Sequence, residues 1–176
     1  MADGGGPSVA ARDDLAGVVD LFTWLSRAEL SQALSELAFK SRTEVDEDAI
    51  DAAIDLAVAE YALVPAPEAA LSSAGDESAS DRETALAVGP AAFPTLPEGA
   101  EDLPHILDVP DREVDREALS DAVLERLREE AVAAIRDGDD DRLETLADVT
   151  YDVEAWAPVD VDPVRTRIFA EVDEEA

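Results

Sequence analysis

Apolar residues recur at helical spacing along the first third of the chain, and this period constrains the fold more than any other feature. Leu15, Val18, Val19, Phe22 and Leu25 form one stripe, spaced i, i+3, i+4, i+7 and i+10. A second stripe comprises Leu30, Ala33, Leu34, Leu37 and Ala38, and a third Ile50, Ile54, Ala57, Val58 and Tyr61. Such stripes are typical of amphipathic α-helices that share one core.

Helix-start signals separate the three stripes. Ser26 precedes Glu29, and Thr43 precedes Asp46, by the three residues of a capping box, in which side chains and backbone amides bond reciprocally. Three short capped helices predict a helix-turn-helix bundle. Trp24 lies off the first stripe, so it either packs against a neighbouring element or marks a contact surface.

Two short apolar runs follow the third helix, at residues 63–64 and 85–88. They flank a polar stretch and predict a β-hairpin. Three helices followed by a hairpin is the order of a winged-helix domain, which we assign to residues 13–97. Ser, Gly, Asp and Glu are frequent in residues 66–83, so we expect a disordered wing tip there. Residues 1–12, with three consecutive glycines, are expected to form a flexible tail.

Prolines and apolar residues are interspersed between residues 89 and 114. Five prolines argue against a regular helix. The apolar residues are Phe93, Leu96, Leu103, Ile106, Leu107 and Val109. A linker would not carry so many apolar groups, so residues 98–114 are predicted to form an extended strap over the helical core.

The C-terminal part has helical spacing again. Asp115 is a candidate N-cap for a long helix ending at Arg136, and a second helix is expected from Asp139 to about Val149. The two would form a helical hairpin within residues 115–158, with Tyr151 and Trp156 in a turn-rich segment after it. Residues 159–176 read as an acidic tail.

The tail carries a short amphipathic stripe of Val164, Ile168 and Val172. This stripe either folds back onto the core or binds another chain.

Acidic residues outnumber basic ones strongly: 44 Asp and Glu stand against 13 Lys and Arg, for a net charge of −31. Because 47% of residues are apolar, we expect a folded core inside a carboxylate shell rather than disorder. Such a shell repels itself at low salt, whereas at about 1 M salt the Debye length is only ~3 Å. The cations are almost all arginine, which binds carboxylates bidentately. We therefore expect a cytoplasmic protein of an extreme halophile; the alternative is an acidic mesophilic protein.

Several classes of protein are not expected. The N-terminus lacks the basic and apolar regions of a signal peptide, and no apolar run approaches 18 residues. With no cysteine, thiolate metal sites cannot form, and with His105 as the only histidine, neither a His pair nor a Cys-His dyad can form within one chain. Four acids partly mimic an EF-hand loop, namely Asp137, Asp139, Asp141 and Asp148, but Arg142 stands where the loop requires glycine. We expect no cofactor, no metal and no catalytic activity.

The third helix is poorly suited to reading DNA. Residues 43–62 contain no Arg, Lys or His, and seven acids: Glu44, Asp46, Glu47, Asp48, Asp51, Asp55 and Glu60. Phosphate contacts use cations, and base contacts use Arg, Asn or Gln. The sequence therefore favours a protein partner over DNA.

Four segments carry a resemblance to known sequences: residues 14–22, 30–39, 93–110 and 151–158. In these segments the chain resembles an uncharacterised haloarchaeal protein family. The resemblance spans most of residues 13–158. It implies a halophilic source and, with the order of elements above, a winged-helix-like N-terminal half, but it implies no activity.

Together these features predict a mainly α (α+β) protein: a winged-helix-like three-helix bundle with a β-hairpin, a Pro-rich strap and a C-terminal helical hairpin. The preferred function is a non-catalytic cytoplasmic protein-protein interaction module. Its candidate partner contacts are Trp24, Tyr151, Trp156, Val164 and Ile168. The alternative is a DNA-binding winged-helix transcriptional regulator that uses Arg27, Lys40, Arg42 and Arg82. The partner's identity and the oligomeric state stay open.

Overall fold

The computed structural model describes the backbone of residues 9–174 and the side chains from residue 11. It is mainly helical with small antiparallel sheets, which confirms the predicted α+β class. The chain divides into two compact units, the first ending at Asp115 and the second beginning at Arg116. No helix among the described residues is long and apolar enough to cross a membrane.

Three helices dominate the first unit: α1 (Val9–Asp20), α2 (Arg27–Lys40) and α3 (Glu47–Ala59). Helix α1 already includes residues 9–12, which were predicted to be a flexible tail; the rest of that tail lies outside the described residues. The capping box of α2 is present, because the Ser26 hydroxyl accepts from the Glu29 amide at 3.2 Å and the Glu29 carboxylate accepts from the Ser26 amide at 3.2 Å.

The cap of α3 differs from the prediction. Asp46, not Thr43, is the N-cap, and its carboxylate accepts from the Ala49 amide at 2.7 Å. An Asp side chain is an effective N-cap, so the helix starts three residues later than the capping-box reading placed it.

A three-stranded antiparallel sheet completes this bundle, with strands β1 (Trp24–Ser26), β2 (Leu63–Pro65) and β4 (Ala85–Val88) in the order β1-β4-β2. The predicted pairing of the two apolar runs is confirmed, since Leu63 lies opposite Val88. Strand β1 was not predicted. Leu25 was assigned to the first helical stripe, but α1 ends at Asp20 and Leu25 pairs with Leu86 instead.

The region predicted to be a disordered wing tip contains regular structure. It holds a 3-10 turn (Glu68–Ala70), β3 (Leu71–Ser73) and α4 (Ala79–Glu83). Strand β3 pairs antiparallel with β5 (Arg112–Val114). The partner of β3 is distant in sequence, so local composition carried no sign of this pairing.

The strap packs on the helical core but is not wholly extended. It contains a 3-10 turn (Ala100–Asp102), the short helix α5 (Leu103–Ile106) and β5. Pro104 lies in the first turn of α5, where its missing N–H costs nothing. Leu103 and Leu107 are buried in one cluster with the apolar stripes of α1, α2 and α3.

The second unit is a three-helix assembly of α6 (Arg116–Asp137), α7 (Asp140–Trp156) and α8 (Asp162–Glu174). Gly138 has a φ of +65° between the first two helices, a conformation that glycine adopts without cost. The predicted turn-rich segment at Tyr151 and Trp156 is instead the C-terminal part of α7. The acidic tail forms α8, which packs on both α6 and α7.

Candidate functional site

Arg112 is a buried cation in the first unit, with 1% of its side chain exposed. Its two terminal nitrogens donate to the two carboxylate oxygens of Glu29 at 2.6 and 2.8 Å. Its Nε donates to Glu77 at 3.0 Å, and a terminal nitrogen lies 2.8 Å from the other Glu77 oxygen. One guanidinium thus satisfies two carboxylates that would otherwise repel each other.

Trp24 lies directly against this guanidinium. The guanidinium carbon (Cζ) of Arg112 is 3.8 Å from the centroid of the Trp24 indole ring, a distance typical of a cation–π contact. Arg112 also donates to the Trp24 carbonyl oxygen at 2.9 Å, and the Trp24 ring N–H donates to the Ser72 carbonyl at 3.4 Å. The Trp24 side chain is fully buried. Trp24 is therefore a packing residue, and its candidacy as a partner contact is corrected.

The pKa of Arg112 reflects this environment. Burial alone would lower the pKa, but hydrogen bonds and charge attraction from Glu29 and Glu77 outweigh it, so the pKa is raised. The guanidinium stays charged throughout the accessible pH range, and the cluster is a fixed ion network rather than a proton donor.

A third acid lies near the same cluster. Carboxylate oxygens of Glu29, Glu77 and Asp81 fall within 4.8 Å of one another. Both glutamates already bind Arg112, so the guanidinium supplies the positive charge at this position. The arrangement is that of an internal ion network.

An exposed apolar surface lies where α2 meets α3. Phe39 is 82% exposed, and Val45 is also exposed. Both line a shallow groove together with Glu44, and the exposed Glu47 and Asp48 follow at the start of α3. We call Phe39, Glu44, Val45, Glu47 and Asp48 the α2–α3 surface. The sequence pointed to its acids, but it did not single out Phe39, because no periodicity distinguishes an apolar residue at a helix end from a core residue.

The four cations considered for DNA binding do not form one surface. Arg27 begins α2, whereas Lys40 ends it, about 20 Å away at 1.5 Å per residue. Arg27 pairs with Asp55 at 2.7 Å, and Lys40 pairs with Asp102 at 2.8 Å. That pairing lowers the pKa of Asp102, through the Lys40 hydrogen bond first and its charge second.

Arg42 and Arg82 behave differently from the other two cations. Within residues 11–174, neither of them forms an ion pair. Arg42 follows α2 in a left-handed conformation with a φ of +55°, and Arg82 lies in α4, between β3 and β4.

The other candidate contacts all lie in the second unit. Val164 and Ile168 are buried on α8, which corrects their candidacy as partner contacts. The predicted tail packs on α6 and α7 of the same unit. Tyr151 is 52% exposed, with the Arg165 guanidinium 4.2 Å from its ring centroid. Trp156 is half-buried under Arg116 at 4.6 Å. Both rings are thus partly covered by a cation of the same unit.

Arg165 fixes the end of α7 to α8. It donates to Glu154 at 3.0 Å and to the Thr150 hydroxyl at 3.0 Å. The Glu154 hydrogen bond is the main reason that the pKa of Arg165 is raised. The arginines of this chain are thus used largely to join its own elements.

Comparison with known proteins identifies a family whose function is unknown. A model described as a family of unknown function (DUF7109) matches residues 13–173. No curated protein and no solved structure gives a significant match. The function must therefore be argued from the geometry of the chain.

Proposed function

We propose that this chain, which belongs to the family of unknown function DUF7109, is a non-catalytic protein-protein interaction module in the cytoplasm of an extreme halophile. The observation that carries the proposal is the α2–α3 surface, where an exposed phenylalanine lies beside a helix that presents carboxylates and no cation. An exposed large apolar residue with charged neighbours is a common feature of interaction sites.

The order of elements supports a winged-helix-like reading of the first unit. Three helices alternate with strands as α1-β1-α2-α3-β2, and β4 then enters the sheet between β1 and β2. In a helix-turn-helix reader, the helix at the position of α3 would enter the major groove. Here that helix starts with Asp46, Glu47 and Asp48 exposed, so phosphate would be repelled.

The same charges define the partner that would fit. A partner must present an apolar recess or side chain to Phe39 and must carry Lys or Arg around it to meet Glu44, Glu47 and Asp48. Charge complementarity of this kind sets orientation and excludes wrong partners. The partner is thus a protein with a basic, partly apolar surface.

Affinity purification from the host in multimolar salt tests the proposal. Wild-type chain is compared with Phe39→Ser and with Phe93→Ser, whose phenylalanine is 77% exposed but lies outside the α2–α3 surface. We expect a stoichiometric protein that is retained by wild type and Phe93→Ser and lost from Phe39→Ser. A lone monomer, or equal loss from both variants, would contradict the proposal.

A double variant separates the contribution of the apolar side chain from that of the charges. Glu47→Lys with Asp48→Lys leaves Phe39 in place but inverts the sign of the neighbouring helix. We expect this double variant to lose the same partner as Phe39→Ser. Retention of the partner would mean that charge complementarity plays no part.

The alternative is a DNA-binding regulator, and the unpaired Arg42 and Arg82 are the observation that favours it. Fluorescence anisotropy with a mixed-sequence duplex tests it directly. DNA binding that weakens in Arg42→Ala with Arg82→Ala would support the alternative. We expect no such binding, because the cations are few, divided between separate elements and surrounded by acids.

A further inference from the structure

The second unit carries a groove between α6 and α8 whose charge is opposite to that of the chain. Its volume is about 240 Å³. Helix α6 contributes Arg128, Ala131 and Val132, and α8 contributes Pro163, Val164 and Arg167. No carboxylate lines it, although the whole chain has a net charge of −31.

Both arginines have donors available. Arg128 is half-exposed, and its closest acid, Glu125, is 3.6 Å away, beyond good hydrogen-bond distance. Arg167 is exposed and forms no ion pair with any residue from 11 to 174. The neighbouring Arg165, by contrast, is fully used by Glu154, Asp162 and Thr150. Arg128 and Arg167 therefore differ from the structural arginines of the same unit.

The floor of the groove is apolar and partly open. Val132 is 44% exposed, although it lies between Arg128 and Arg136 on a long charged helix. An apolar floor between two guanidinium groups matches a segment that offers an apolar side chain with a carboxylate on either side. Arginine binds carboxylates in a bidentate, planar geometry that lysine cannot reproduce.

We propose that this groove binds an acidic, partly apolar segment of a partner protein, with Arg128 and Arg167 holding its carboxylates. Charge complementarity is the basis of this choice, since a basic segment would meet Arg167, which forms no ion pair within residues 11–174, and Arg128, which is held only by an exposed pair with Glu125. The site is independent of the α2–α3 surface, which selects a partner of the opposite charge. The chain would then present two docking surfaces of different specificity.

The proposal is tested by selecting binders from a displayed library of random 16-residue peptides, with the full chain as the target, at about 1 M KCl. At this salt the Debye length is ~3 Å, so only charges in direct contact contribute. A chain of net charge −31 would otherwise enrich basic peptides. We expect enriched sequences with one or two large apolar residues flanked by Asp or Glu.

The double variant Arg128→Glu, Arg167→Glu provides the contrast, because both side chains are exposed and their substitution is expected to leave the fold intact. We expect it to bind the enriched acidic peptides at least 10-fold more weakly. Arg136→Glu is the matched control: it lies on the same helix, is 73% exposed and does not line the groove. It is expected to leave the affinity within about 2-fold of wild type.

Three outcomes would overturn the proposal. Enrichment of basic peptides, or of none, would show that the groove does not select carboxylates. Equal affinity of wild type and the Arg128, Arg167 double variant would place the peptides elsewhere. Concentration-dependent self-association, lost in the double variant and measured by sedimentation, would assign the groove to a second copy of this chain instead.

Discussion

Arg112 is buried against two partly buried carboxylates, although removing charges from water is costly. Its guanidinium forms bidentate contacts with Glu29, reaches Glu77 and covers the Trp24 ring. Such a network offsets its own desolvation only when the geometry is good and every donor is used. These contacts come from residues on β1, α2 and the segment after β3, so this one side chain joins elements that are distant in sequence.

Replacing Arg112 tests how much the network stabilises the fold. Arg112→Met leaves the partly buried Glu29 and Glu77 without a counter-charge, so we expect the free energy of unfolding to fall by about 3 kcal/mol. Arg112→Lys keeps the charge but loses the bidentate contact, and a loss of about 1–2 kcal/mol is expected. Urea titration in high salt measures both.

Arg136→Met is the control for this pair, since Arg136 is largely exposed beside Asp137. For this variant we expect the free energy of unfolding to change by less than about 0.5 kcal/mol. If Arg112→Met were as stable as wild type, the network would contribute nothing beyond what an apolar side chain of similar length supplies.

A glycine in helix α1 allows another segment of the backbone to pack closely against the helix. Gly17 lies in the interior of α1, where glycine costs about 1 kcal/mol relative to alanine. A Cβ at this position would overlap the carbonyl oxygen of Thr95. The Thr95 amide donates to the Asp13 carbonyl at 3.1 Å, so the segment following β4 runs directly against the helix. Close backbone approach, rather than helix propensity, explains the glycine.

Gly17→Ala separates these two effects because they have opposite signs. Propensity alone would stabilise the protein, whereas overlap with backbone atoms that cannot rotate away should destabilise it. We expect a net loss of about 1–3 kcal/mol in the free energy of unfolding. Asp20→Ala, at an exposed position of the same helix, should change it by no more than about 0.5 kcal/mol. A stabilised Gly17→Ala variant would rule out the close approach.

At the scale of the whole molecule, the carboxylate shell sets the conditions under which the chain folds. Paired arginines neutralise only some of the 44 acids, and the remainder repel one another at low salt. Salt acts mainly by screening this repulsion. Solvent conditions are therefore part of what stabilises both units.

Circular dichroism at 222 nm measures this dependence. We expect helicity to be reduced at about 10 mM KCl, where the Debye length is ~30 Å, and to recover in multimolar KCl. Sucrose, which strengthens burial without screening charge, should restore less of the signal. Full helicity in the low-salt sample would contradict the argument from the charge shell.

The sequence by itself determined the helical class, the three helices of the first unit and the pairing of residues 63–64 with 85–88, although Leu25 and Tyr61, which were assigned to helical stripes, lie beyond the ends of α1 and α3. These features are local or periodic, so they can be read from spacing and from capping residues such as Ser26. It also indicated an acidic α3, since charge needs no tertiary context.

Only the tertiary structure decided where the scarce cations and aromatic rings lie. The Arg112 network, the pairing of β3 with β5 and the burial of Trp24 depend on contacts between residues that are far apart in the chain. The fate of the acidic tail was decided in the same way: Ile168 is buried because α6 and α7 offer an apolar face to cover. Long-range contacts of this kind leave no periodic pattern in the sequence, because the two residues that meet are determined by how whole helices and strands pack against one another.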